Sequence, residues 1–141
     1  TLSSALFSKT SELFTSNINV VEQVGEGIVE LIENGKLHSD EMKTLLKVYL
    51  QPMLDADIDY LVLGCTHYPY LMPLLIDLLP NHVKIIDSGE AVARQTKTVL
   101  EQHKLINTQI LNIKPQFFTN GSLEVLSSLL DGDFNVDYLG F

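Results

Sequence analysis

Cysteine is almost missing from this chain: Cys65 is the single one among 141 residues. One thiol rules out an internal disulfide and any metal site built from clustered cysteines, and it fits a reducing compartment. Basic residues are scarce as well, with 9 Lys and Arg against 18 Asp and Glu and a formal net charge of −9. That deficit speaks against a protein that grips nucleic-acid backbones, which takes clustered Lys and Arg. It leaves room for an anionic small molecule, because local dipoles can outweigh a remote net charge. No apolar run approaches the ~18 residues of a membrane-spanning helix, so no membrane is expected as a partner. A basic segment leading into an apolar stretch and a small-residue cleavage site is missing too, which leaves a cytoplasmic location as the expectation. The Met start of a complete protein, internal repeats and low-complexity segments are also lacking.

What is present is ordinary globular material, 45% hydrophobic and 19% charged, and long enough for one domain with a core. The chain is organised around the stretch from Asp59 to Pro69, Asp-Tyr-Leu-Val-Leu-Gly-Cys-Thr-His-Tyr-Pro. Tyr60 to Leu63 is an apolar, partly β-branched run of the kind that forms a strand buried on both faces of a parallel sheet. Gly64 ends it. Pro69 opens the next periodic segment, Tyr70 to Leu79, at a helix start where its missing N–H has no partner to lose. The fold class expected is α/β, a mainly parallel sheet flanked by helices.

Cys65, Thr66 and His67 then occupy a strand-to-helix turn, on the edge of the sheet where open α/β folds bind ligands. N–H groups at the helix start attract a carboxylate. The same field lowers a thiol's pKa, as would a protonated His67 beside it. Thr66 adds a hydroxyl able to donate or accept. An isolated cysteine is more often a small buried hydrophobe, but a thiol, a hydroxyl and an imidazole in succession at a strand terminus favour chemistry.

Before that turn, Ser3 or Ser4 caps a helix through about Phe14, and Val20 to Val24 reads as a strand. Ile28 to Glu33 is a short helix stopped by Gly35. His38 or Ser39 caps a longer helix from Asp40 to about Leu54, whose Met42, Leu45, Leu46, Tyr49, Leu50 and Met53 form a core-facing stripe. After it, Val83 to Ile86 is a second short buried strand, Asp87 or Ser88 caps a helix to about His103, and Leu105 to Lys114 is a loop. Gln116 to Thr119 is a strand, Ser122 caps a helix through Leu130, and Val136 to Leu139 is a last strand.

Gly64-Cys65-Thr66-His67-Tyr68-Pro69 resembles the second cysteine motif of the cofactor-independent glutamate racemases, in the aspartate/glutamate racemase superfamily. The resemblance covers essentially the whole chain but only about the C-terminal half of the family's length. The family's N-terminal Asp-Ser-Gly motif and Asn-containing first cysteine motif have no counterpart, so the chain reads as a C-terminal portion. The resemblance implies a pseudo-symmetric fold of two α/β domains, with residues 1–92 forming most of the second and residues 93–141 returning to the first.

It further implies interconversion of L- and D-glutamate by two-base proton transfer, without a cofactor, in the service of peptidoglycan synthesis, and a homodimer at full length. Cys65 would be the base and acid on the L-glutamate side. His67 would tune or shuttle its proton, and Thr66, the turn's N–H groups and His67 would hold substrate. Glu33 falls where the family has an acidic residue that assists proton transfer, although its type and place also suit a solvated helix residue. Thr1 falls where a threonine touches substrate, and also where a terminus frays. Gly25-Glu26-Gly27 replaces a Cys-Pro pair common in the family. One cysteine reaches one face of an α-carbon, so the chain alone is expected not to racemise.

Three alternatives remain open from the residues. One is a sister activity of the superfamily, an aspartate or hydantoin racemase or a maleate isomerase. Another is a Cys-His hydrolase in which Cys65 attacks an amide carbonyl. The third is a module without catalysis.

Overall fold

The computed structural model describes residues 4–107, 114–130 and 134–141. Helix α1, Ala5–Phe14, begins at Ser4, whose hydroxyl accepts from the Phe7 N–H at 3.1 Å, and buries none of its residues. Helix α2 is Ile28–Glu33 and α3 is Asp40–Asp55. Strand β1, Tyr60–Val62, leads through the Cys65 turn into a 3₁₀ turn, Tyr68–Leu71, and helix α4, Met72–Leu78. Strand β2, Lys84–Ile86, pairs parallel with β1, Leu61 opposite Ile85. Helix α5, Gly89–Gln102, comes next, then β3, Phe117–Thr119, α6, Leu123–Leu129, and β4, Val136–Tyr138, with β3 and β4 a second parallel pair. Parallel neighbours joined through helices make this α/β, as expected from the sequence. No described helix is long and apolar enough to cross a membrane.

One cluster of buried side chains joins α2, α3, α4 and the two first strands: Ile32, Met42, Leu71 and Leu75 are its best-buried members. Met42, Leu46 and Leu50 of α3 are buried, and Leu45, Tyr49 and Met53 pack beside them, so the stripe spaced at three and four residues faces the core. Ser39 caps α3 by accepting from the Met42 N–H at 3.1 Å. Ser122 does the same for α6 through the Val125 N–H.

Two local expectations fail for identifiable reasons. The β1 run is buried on one face only: Leu61 and Leu63 are inside, while Tyr60 is 45% and Val62 67% exposed. Ile86 of β2, in register with Val62, is likewise exposed. Second, Val20 to Val24 forms no strand with any of the described residues, and Val20, Val21 and Val24 are exposed. β-Branched residues favour a strand only where a neighbouring strand supplies the ladder. Of the two cap candidates before α5, Asp87 serves: its Oδ1 accepts the Gly89 N–H at 2.6 Å, while Ser88 makes no side-chain cap. The expected loop from Leu105 to Lys114 falls for its middle part, residues 108–113, outside the described residues.

Candidate active site

The end of β1 is held by the Leu63 N–H, which donates to the Ile86 carbonyl at 2.8 Å and extends the pairing one residue past the strand. The chain then breaks away at Gly64, where even an added Cβ would have no heavy atom within 4 Å. The turn is therefore open on its Gly64 side. Cys65 is half-buried, Thr66 exposed and His67 half-buried. From Tyr68 the chain forms not the full α-helix expected from Pro69 but the four-residue 3₁₀ turn. Its N–H groups are engaged within the turn itself, Tyr68 N to the Cys65 carbonyl at 3.1 Å and Tyr70 N to the His67 carbonyl at 3.2 Å. The field on the thiol is accordingly smaller than a long helix would give.

The imidazole of His67 gathers the other groups. Its Nε2 lies 3.0 Å from Oε1 of Glu33, and its Nδ1 lies 3.9 Å from Sγ of Cys65 and 3.5 Å from Oγ1 of Thr66. A carboxylate can only accept, so Nε2 carries a proton, and in the neutral ring Nδ1 then presents a lone pair to the thiol and the hydroxyl. Glu33 reaches this position although it is 34 residues away in sequence and 63% exposed. It is the last residue of α2. Ile32 beside it is fully buried, and successive helical residues point about 100° apart, so a fixed Ile32 directs Glu33 outward to the turn. The helix end is itself fixed. Lys36 N–H donates to the Leu31 carbonyl at 2.8 Å and Gly35 N–H to that of Ile32 at 3.0 Å, with Gly35 in the left-handed region at φ 70°.

Four of the five candidate residues, Cys65, Thr66, His67 and Glu33, are thus brought together; the fifth, Thr1, lies outside the described residues. Tyr68 of the motif and Tyr49 of the α3 stripe also take part, through hydroxyl contacts that the sequence pattern did not signal. The Tyr68 hydroxyl donates to the Gly25 carbonyl at 3.3 Å, and that of Tyr49 to the Glu26 carbonyl at 2.9 Å. Burial, and then the neighbouring Cys65, Tyr49 and Glu30, push the Tyr68 phenol above its ordinary value of 10.0. Among the described residues no group of three His, Cys, Asp or Glu is placed to hold a metal ion. A shallow groove of about 300 Å³ lies on α5 between Val92, Gln95, Thr96 and Val99, and Cys65 does not line it.

A carboxylate, an imidazole and a thiol in line at the carboxyl end of a parallel strand define proton-transfer or nucleophilic machinery on an α/β scaffold. Comparison with known proteins narrows that class. No protein-family model matches the chain. The glutamate racemase of Ectopseudomonas mendocina (strain ymp) is 41% identical over 130 residues, which are 92% of this chain and 49% of that protein. The glutamate racemase of Escherichia coli, solved with L-glutamate and the activator UDP-MurNAc-Ala, superposes with a TM-score of 0.74 at 27% identity, over 98% of this chain and 54% of that one. That of Francisella tularensis subsp. tularensis SCHU S4, solved with D-glutamate, gives 0.75 at 25% identity, over 93% and 50%. The chain is similar to these glutamate racemases over nearly its whole length, and it spans about half the length of the curated relatives it matches.

Proposed function

We propose that this chain carries one face of a glutamate racemase site, with Cys65 as the group that exchanges a proton with the α-carbon. The observation that carries the proposal is the array itself, Sγ of Cys65 to Nδ1 of His67 at 3.9 Å and Nε2 to Glu33 at 3.0 Å. With Nε2 donating to Glu33, Nδ1 would take the thiol proton, and the thiolate would then remove the α-proton. The imidazolium left behind would be balanced by the Glu33 carboxylate. In the reverse direction the Cys65 thiol would give its proton back to the carbanion-like centre. A separated thiol–imidazole pair at 3.9 Å is the loose geometry common in free enzymes, which tightens around substrate.

Thr66, exposed beside the thiol, and His67 would hold the substrate's polar groups, and the open side at Gly64 is where it would enter. The L-glutamate and D-glutamate bound by the Escherichia coli and Francisella tularensis relatives support glutamate as the substrate. The UDP-MurNAc-Ala bound by the former supports a place in peptidoglycan supply. A cytoplasmic homodimer at full length belongs to the same proposal. A Cys–His–carboxylate array could also make a nucleophile for an acyl group, but the similarity to racemases favours proton transfer.

The test is a chimaera in which this chain replaces the matching 49% of the Ectopseudomonas mendocina racemase. It is expected to racemise glutamate and to wash deuterium from D₂O into the α-position. Cys65→Ala should lower turnover by at least the ~10²–10⁴-fold of one well-placed acid–base group. His67→Asn should lower kcat more than it changes KM. A chimaera with Cys65→Ala that racemises as well as its parent would defeat the proposal, and so would a covalent acyl-enzyme without α-exchange.

A further inference from the structure

Two tyrosines from different elements hold the loop that leads into α2. Tyr68 immediately follows His67 and donates to the Gly25 carbonyl, and Tyr49 of α3 donates to the next carbonyl, that of Glu26. The fit at Gly25 is close. A Cβ there would overlap the Tyr68 hydroxyl and stand 2.8 Å from Cδ1 of Ile28, so the ring can reach this carbonyl only over a glycine. Three residues further on α2 begins, and it ends at Glu33, which is bound to His67. The path from His67 to Tyr68, across to Gly25, along α2 to Glu33 and back to His67 is therefore a closed ring. Two of its links are hydrogen bonds, Tyr68 to Gly25 and His67 to Glu33.

Apolar burial keeps α2 docked through Ile28, Leu31 and Ile32, but burial is non-directional and does not select among small shifts or rotations. Hydrogen bonds do, through their angular preference. The two tyrosine hydroxyls act on the start of the helix and the bonds at Gly35 and Lys36 on its end. A phenol keeps its proton throughout the neutral range, and burial of Tyr68 pushes in the same direction, so it is a donor there.

We propose that Tyr68 and Tyr49 are positioning residues: by fixing the loop at Gly25 and Glu26 they hold Glu33 against His67, and through it the imidazole against the Cys65 thiol. The proposal rests on the proton-transfer role given above to Cys65 and His67, but it can be tested without any racemisation. Cys65 is the single cysteine, so the rate of alkylation of the 141-residue chain by iodoacetamide, followed by mass spectrometry, reports on that thiol alone.

In the parent chain Glu33→Gln should slow alkylation about three- to tenfold, the range set by one hydrogen bond of ordinary net strength. In Tyr68→Phe, which keeps the ring and removes only the donor, the same Glu33→Gln change should alter the rate less than about twofold, because the carboxylate is no longer held in place. Tyr49→Phe should reduce the coupling in the same direction and serves in place of Tyr68→Phe should that variant not fold. A purely structural tyrosine would lower the melting point and leave the Glu33 effect intact. An undiminished Glu33 effect in the folded phenylalanine variants, or no Glu33 effect in the parent, overturns the proposal. An inactive chimaera with the thiol coupling as expected would instead sink the racemase function and leave the positioning role standing.

Discussion

Replacing Ile32 by alanine perturbs both the core and the site from one position. Ile32 is fully buried in the cluster shared by α2, α3 and α4, and it is the residue next to Glu33. Truncating a buried Ile to Ala costs about 2–5 kcal/mol, the larger values where surroundings cannot collapse into the space. Ile28 and Leu31 are the only other buried side chains of this six-residue helix, so a value in the middle of that range, ~3 kcal/mol, is expected. Against a total of ~5–15 kcal/mol for a domain this is a large share. It should lower the melting point by roughly 10 °C for a chain of this size.

Ile32→Val, which keeps the branched shape, should cost only about 0.5–1.5 kcal/mol. Urea denaturation followed by circular dichroism gives both numbers, and Cys65 alkylation with and without Glu33→Gln gives the effect on the site. The Ala variant should lose stability and lose the Glu33 effect on the thiol together. A cost under ~1 kcal/mol would show that α2 is not held by this cluster. A destabilised Ala variant with the full Glu33 effect would show that packing at Ile32 does not direct Glu33.

Two further outcomes are expected from the same region. Gly35→Ala should destabilise by about 1–2 kcal/mol, because its added Cβ meets only Cγ2 of Val125 at an ordinary 3.6 Å and the cost is that of a left-handed residue with a side chain; equal urea midpoints would contradict it. Tyr68 ionises above its ordinary value in the folded chain, so its contribution is fully present below about pH 10 and is lost as pH rises through the folded pKa. Urea midpoints measured from about pH 8 to 11, a range that brackets the ordinary phenol value, should therefore fall less steeply in Tyr68→Phe than in the parent, and parallel alkaline limbs would refute the assignment.

How far the sequence reached depends on whether each feature is written locally. The α3 stripe was legible because Met42, Leu46 and Leu50 recur at the helical period, and the caps at Ser4, Ser39 and Ser122 because the capping residue precedes its own helix. The existence of β1 was legible too, but not the number of its covered faces. A four-residue apolar run looks the same whether one or two layers pack on it, and Val62 proved exposed. Val20 to Val24 had strand composition without a partner strand among the described residues, and composition cannot supply one. At the site, Cys65, Thr66 and His67 are adjacent in sequence and could be read together. Glu33 came only from resemblance, since nothing in the spacing of residues 33 and 67 predicts a hydrogen bond. The Tyr68–Gly25 contact, across 43 residues, left no trace in periodicity at all.

The unequal distances around His67 bear directly on the proposed chemistry. Its Nε2 end is bound at 3.0 Å to a carboxylate on a helix whose two ends are both fixed, whereas its Nδ1 end faces two hydrogens at the limit of bonding, Thr66 at 3.5 Å and Cys65 at 3.9 Å. One lone pair accepts well from only one of them at a time. An imidazole turned to Cys65 would draw off the thiol proton and leave a base; one turned to Thr66 would leave the thiol protonated and ready to act as an acid. Racemisation asks the same sulfur for both states, according to direction. A ring pinned at one nitrogen and shared at the other would let a small rotation choose between them, which a short, fixed Cys65–His67 bond would forbid. Thr66→Val, which removes the competing donor while keeping the branched shape, should then favour the thiolate and raise the rate of Cys65 alkylation by about two- to fivefold, the worth of a weak hydrogen bond. An unchanged or slower rate would mean that Thr66 does not compete for the imidazole.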